Sequence, residues 1–190
     1  MSVVQHRRNL VIVVSGPPGS GKTTVAKMLA ERLGLRYVSI GQLFRAIARE
    51  RGMSLEELSR LAERDPSIDF ELDRRAREEA AKGSVVIDGH ITAWIARDLA
   101  DLCVCIVAPF DVRVRRIAER EGRPLEEIER ETRVREETEA RRFMKYYGID
   151  VKDYSIFDIV VNSAFYRPEE IVEIVLRALE LKLGRTSANR

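Results

Sequence analysis

Gly16-Pro17-Pro18-Gly19-Ser20-Gly21-Lys22-Thr23-Thr24 is the stretch that decides the fold. An apolar, β-branched run from Leu10 to Val14 precedes it and a helical pattern follows, so it occupies the turn between a strand and a helix. The spacing from Gly16 to Gly21-Lys22-Thr23 is that of a Walker A phosphate-binding loop. Glycines at 16, 19 and 21 permit close backbone approaches, so successive N–H groups can turn inward on phosphate oxygens. The helix that follows adds its positive end. Lys22 is placed to reach the β and γ phosphates of ATP, and the Thr23 hydroxyl to ligate the Mg²⁺ they carry. A Gly-rich turn that merely joins strand to helix is the plainer alternative, and the agreement of motif with context argues against it.

The 190 residues suit a single domain with a sizeable core, and an apolar content of 45% is ordinary for a globular chain. No apolar run approaches the roughly 18 residues of a membrane span, and the start lacks the order of a signal peptide. A cytoplasmic location is therefore expected. A net charge of +2 is too small to draw nucleic acid or membrane by bulk attraction. The expected partners are small molecules, and the chain is expected to be a monomer. Cys103 and Cys105 alternate on an apolar run, which reads as buried free thiols rather than a zinc site.

Along the chain, a helix from Lys22 to about Leu33 is followed by a short strand, Arg36 to Ile40, and a helix from Gly41 through Arg51. Ser54-Leu55-Glu56-Glu57 reads as a capping box, and a further helix is predicted from Ile68 to Lys82. This helical excursion, about 41–83, is longer than a simple crossover and is a candidate substrate-binding insertion. Strands are predicted at Ser84 to Asp88, Leu102 to Ala108 and Ile159 to Val161, with a short helix around Trp94. Helices are predicted from Val112 to Glu121, onward to Tyr147, and from Pro168 to Leu183. Residues 1–8 are expected to fray and 184–190 to form a disordered tail. Five apolar strands alternating with helices imply an α/β fold with a doubly wound, five-stranded parallel sheet, its site at the carboxyl ends of the strands.

A bare loop after the first strand, an early helical insertion and late Arg-rich helices resemble a nucleoside monophosphate kinase, up to about residue 183. The resemblance implies a P-loop kinase domain with a helical monophosphate-binding insertion and a short lid at about 116–142. Gly41-Gln42-Leu43-Phe44-Arg45 keeps the family's Gly and the Arg four residues on, which implies that Arg45 grips the acceptor phosphate, with Ser39 and Gly41 beside it. Asp88-Gly89 resembles the pair in which the acid helps to hold Mg²⁺ and the Gly admits substrate. Bacterial cytidylate kinases continue with Arg and Asp where this chain has His90 and Ile91; His90 could touch phosphate if protonated, and Ile91 cannot replace an acid that reads cytosine.

Arg135-Glu136-x-x-Glu139-x-x-Arg142 resembles the cytidylate kinase element in which two Arg contact phosphates and the second acid holds the ribose. Spacings of four and three put Arg135, Glu139 and Arg142 on one helix face. By spacing alone they read as a salt-bridge stripe, and it is the family pattern that makes them a site. Arg116, Arg120 and Arg123 sit where the family's lid begins, and the resemblance implies that they close over the ATP phosphates. Asp69, Asp73 and Arg74 of the insertion are candidates to read cytosine, and read equally well as helix-capping or surface charge. The motif set resembles archaeal cytidylate kinases most, which implies γ-phosphoryl transfer from ATP to CMP and dCMP with Mg²⁺. A different acceptor, such as another monophosphate, shikimate or dephospho-coenzyme A, and a non-catalytic ATP-binding module remain the alternatives.

Overall fold

The strand that leads into the phosphate loop, β1 (Val11–Ser15), is buried along its whole length. Ile12 and Val14 face one apolar cluster and Val11 and Val13 the other, so the run of β-branched residues is what a strand covered on both faces requires. The computed structural model describes residues 9–188, so the fraying expected for 1–8 lies outside the described residues. Around β1 the sheet has the order β2-β3-β1-β4-β5, with every pairing parallel. The other strands are β2 (Arg36–Ser39), β3 (Val85–Asp88), β4 (Leu102–Val107) and β5 (Ile159–Asn162).

Helix α1 (Lys22–Leu33) and the last helix, α8 (Pro168–Ala188), cover one face. Val25 and Leu29 of α1 meet Ile171, Val175 and Leu179 of α8 over Ile12, Val14 and Val104. Each such side chain removed from water contributes about 2 kcal/mol. On the other face, α4 (Ser67–Ala81) and α5 (Thr92–Ala96) bring Ala80, Ala93 and Ala96 onto Val13 and Ile87. The sheet is therefore doubly wound. Helices α2 (Ile40–Glu50), α3 (Leu55–Ala62) and α4 share a smaller core of Ile47, Leu58, Ile68 and Leu72. At the start of α3, Ser54 accepts from the Glu57 N–H while the Glu57 side chain accepts from the Ser54 N–H, the capping box read in the sequence. Helices α6 (Phe110–Glu121) and α7 (Leu125–Tyr147) close another small core on Val114, Ile117 and Ile128.

Register places the site. Ser39 and Val14 both lie beside Asp88, and Ser15 lies beside Cys105, so the loops after these strands open at one edge. β2 and β3 lie on one side of β1 and β4 and β5 on the other, which puts the change of direction at the strand bearing the phosphate loop. The two thiols are buried and free, and burial pushes Cys105 up to about 12.

The C-terminal end corrects the sequence reading. Residues 184–188, expected to be disordered, continue α8, while 189–190 lie outside the described residues. A mid-helix glycine costs only about 1 kcal/mol, and Gly184 follows directly on the buried Leu183, so packing overrides the stop.

Candidate active site

The phosphate loop has the backbone its glycines allow. Gly16, Gly19 and Gly21 have φ of 144°, 76° and 88°. A Cβ at Gly19 would stand 2.6 Å from the Arg113 carbonyl oxygen, so no larger residue fits without moving α6. Gly21 caps α1 with no side-chain hydrogen bond, and the first turn of α1 has no acid. The free N–H groups and positive end of α1 thus face the loop unopposed. Pro17 accepts from the Ser20 N–H at 3.3 Å and from Lys22 Nζ at 3.3 Å, so the Lys22 chain folds back across the loop. The Ser20 hydroxyl oxygen is buried without a partner, and Thr24 is exposed at the start of α1. Burial pushes Lys22 down to about 8; Asp88 opposes this and Arg135 adds to it. An incoming phosphate adds negative charge beside this ammonium and favours its charged form.

The loop is held from beneath by Arg113, a residue that sequence reasoning passed over. Its Nη1 donates to the Pro18 carbonyl at 3.0 Å and its Nε to the Ala108 carbonyl at 3.0 Å. It also pairs with Glu136, so that acid of the α7 motif serves the loop's scaffold. Arg113 lies three residues after Phe110 and four before Ile117, on the buried stripe of α6, and that spacing was the available signal. We expect Arg113→Ala to cost about 3 kcal/mol, because it strands the Glu136 carboxylate and two carbonyls. A thermal unfolding scan checks this, and a melting temperature equal to wild type would contradict it.

At the edge of the loop, Thr23 Oγ1 donates to Asp88 Oδ2 at 2.5 Å. Asp88 is 1% exposed, and its other oxygen, Oδ1, is buried with no hydrogen-bond partner. An orphaned carboxylate oxygen beside a hydroxyl is an all-oxygen donor set that fits Mg²⁺. The Tyr37 hydroxyl is also buried beside Asp88; burial first and the Asp88 charge second push it up to about 12, so it stays a neutral O–H.

Opposite the loop, α7 sorts its polar face into two groups. Arg135 Nε donates to Glu139 Oε1 at 2.8 Å, and Glu139 Oε2 meets His90 Nδ1 at 2.7 Å. Burial raises the Glu139 carboxyl, but Arg135 and His90 outweigh it and hold the group well below the usual range. His90 therefore joins the site through Glu139, across 49 residues of chain, a link that local spacing cannot display. The charges of this group are felt at Lys22, whose pKa Arg135 lowers and Glu139 raises. Arg142 stands apart from it, with Nε 2.8 Å from Asp69 Oδ2 of the insertion.

The remaining predicted residues divide. The Arg45 guanidinium and the Ser39 hydroxyl both lie 3.8 Å from the position of a Cβ on Gly41, so these three are together at the start of α2. Gly89 is crowded from within, since a Cβ there would run into Thr92 and Ile40; internal packing explains this glycine without a substrate. Arg116 donates at 2.8 Å to both the Ser163 hydroxyl and the Ser163 carbonyl, and Ser163 Oγ donates to the Ser20 carbonyl at 2.7 Å. Arg116 thereby braces the loop's end. Arg120 is 67% exposed and pairs with its neighbour Glu121, while Arg123 pairs with Glu127 and Glu131. The structure thus does not join these two to the loop. Arg74 is also superficial, paired with Glu78.

A Walker A loop at the carboxyl edge of a doubly wound sheet, facing arginines on separate helices, defines a P-loop kinase. The model of the cytidylate kinase-like family matches residues 11–164, and the chain belongs to that family. Relatives named cytidylate kinase include one from Staphylothermus marinus, 52% identical over 90% of this chain and 97% of that protein. Others are from Aeropyrum pernix, 54% identical over 86% and 95%, and Archaeoglobus fulgidus, 47% over 90% and 95%. In fold the chain is similar to a gluconokinase from Sinorhizobium meliloti, with a TM-score of 0.59, 20% identity and 97% of each chain covered. It is likewise similar to a shikimate kinase from Acinetobacter baumannii, with a TM-score of 0.57, 19% identity and coverage of 89% and 92%. Among the described residues no helix is long and apolar enough to cross a membrane.

Proposed function

We propose that the protein transfers the γ-phosphoryl group of ATP to CMP, and to dCMP, giving ADP and the diphosphate. The observation that carries the reading is that two cationic groups of different origin act on one another: Lys22 of the loop, and Arg135 of α7, whose partner Glu139 is itself paired with His90. The acceptor is itself a phosphate anion, so the reaction needs no serine, cysteine or histidine base. It needs two mutually repelling anions brought into line, which positive charge and fixed N–H donors accomplish. In this reading residues 16–24 hold ATP, Arg45 with Ser39 and Gly41 holds the acceptor phosphate, and Glu139 holds the ribose.

Thr23 and Asp88 would hold Mg²⁺, whose chemistry when bound is to neutralise charge across the β and γ phosphates. The segment 41–83 serves as the acceptor-binding insertion and 116–142 as the lid, which carries Arg120 to the phosphates only on closing. The reading takes the protein as a cytoplasmic monomer acting on free nucleotides.

Steady-state assays pairing ATP with CMP, dCMP, UMP, AMP and shikimate test it. We expect CMP and dCMP to be preferred at least tenfold, and CMP no better than AMP or UMP would sink the assignment. Arg45→Ala should cut kcat/KM for CMP by about 100-fold while ATP affinity is unchanged, because a bidentate phosphate contact is lost.

A further inference from the structure

Tyr37 is the second residue of β2 and lies beside Val86, and two residues on Ser39 lies beside Asp88. Alternate residues of a strand share a face, so Tyr37, Ser39, Val86 and Asp88 all look toward α1. The Tyr37 ring packs on the apolar cluster that α1 covers, and Lys27 Nζ lies 5.7 Å from its centroid. Thr23, one turn before Lys27 on the same side of α1, donates to Asp88. Sheet and helix thus pin the ring between them and bring its hydroxyl among Asp88, Ser39 and Thr23, whose side chains all act on it. Yet the hydroxyl makes no well-directed hydrogen bond, and neither does Asp88 Oδ1; both atoms are buried. Stranding a donor beside an acceptor works against folding, and phenylalanine would fill the same apolar place without that loss. The hydroxyl therefore answers to something that enters the site.

The two atoms say what enters. An ionised carboxylate oxygen only accepts, whereas a phenol both donates and accepts, and burial keeps the Tyr37 phenol protonated. A ligand that satisfies both from one place brings O–H donors of its own. The hydration shell of a small divalent cation has them, because magnesium gives up its waters reluctantly. We propose that Tyr37 is a positioning residue of the magnesium site, its hydroxyl and Asp88 Oδ1 being satisfied together by the hydrated cation that Thr23 and Asp88 would hold. The inference rests on the Mg²⁺ assignment above and adds to it a residue that touches neither nucleotide. Bonded on both sides, the Asp88 carboxylate keeps its orientation, and outer partners of this kind change metal affinity by about 10- to 100-fold. The competing role is a direct contact of the Tyr37 hydroxyl with the acceptor, which would govern CMP and leave the metal alone.

The readout is the gain in Mn²⁺ affinity that ATP shows on the protein over ATP free in solution, followed by paramagnetic resonance. It is measured for wild type, Tyr37→Phe, Asp88→Asn and the double variant, with melting temperatures alongside. Tyr37→Phe keeps the ring and its packing, so we expect it to melt no lower than wild type while Mn²⁺ affinity falls about tenfold. In Asp88→Asn the partner carboxylate is gone, so adding Tyr37→Phe should lower the affinity by less than about twofold more. In turnover, the Mg²⁺ concentration that gives half the maximal rate should rise about tenfold for Tyr37→Phe, with KM for CMP unmoved and the rate restored at saturating Mg²⁺. Mn²⁺ affinity of Tyr37→Phe equal to wild type would overturn the inference, whether KM for CMP rises, as an acceptor contact requires, or nothing moves. Losses that add in full in the double variant would overturn it as well, since the two groups would then act independently. Wild type showing no gain over free ATP would overturn the Mg²⁺ assignment itself, and wild type alone reveals that outcome.

Discussion

Lys22→Ala lowers turnover by about 1,000-fold while melting no lower than wild type. The ammonium's hydrogen-bond partner is a single carbonyl, that of Pro17 at 3.3 Å, and Asp88, whose charge acts on it, keeps its bond from Thr23 when the ammonium is removed. Burial lowers its pKa from 10.5 to about 8, so the folded state disfavours the charged form. The unfolded chain binds more protons between those two values, and stability from this group rises with pH there. Below pH 8 the unfavourable contribution is fully present, and alanine relieves it. The kinetic loss arises because this cation stands where charge develops in transfer.

Binding of ATP favours the charged form of Lys22, so above pH 8 it must draw a proton onto the amine. ATP affinity should therefore fall as pH rises past about 8 in wild type and stay flatter in Lys22→Ala. Calorimetry in buffers of different ionisation enthalpy measures the proton uptake directly. Turnover near the wild-type rate would remove Lys22 from the mechanism.

The fold was readable wherever a local pattern and the tertiary demand coincide. The run Leu10 to Val14 had to be a covered strand, because alternate residues supply both apolar clusters. Gly16 to Thr24 was readable for a related reason, since a phosphate loop is backbone chemistry written in contiguous residues. The end of α8 was not, because Gly184 signals a stop that packing on the far side of the sheet overrides. In the site, spacing put Arg135, Glu139 and Arg142 on one face but could not say that Glu139 answers to His90 while Arg142 answers to Asp69. Those partnerships join distant elements. Arg113 was hidden differently: it is one of ten arginines between Asp111 and Tyr147, and only its place on the buried stripe of α6 sets it apart.

Asp88→Asn should lower turnover by about 100-fold at saturating Mg²⁺ and leave the melting temperature at or above that of wild type. Asparagine keeps the oxygen that accepts from Thr23 and the shape of the end of β3, while removing a buried charge whose second oxygen has no partner. The loss in rate and the lack of loss in stability separate a residue retained for a ligand from one retained for the fold. A second effect follows through Lys22. Asp88 is the main influence opposing the burial that lowers the Lys22 pKa, so in Asp88→Asn that pKa should fall below 8. The decline of ATP affinity with rising pH then begins at a lower pH than in wild type. Binding of Mn²⁺ to the ATP-loaded protein, followed by paramagnetic resonance, supplies a readout independent of turnover. Mn²⁺ affinity equal to wild type, together with an unmoved pH dependence, would deny Asp88 both roles and leave its burial unexplained.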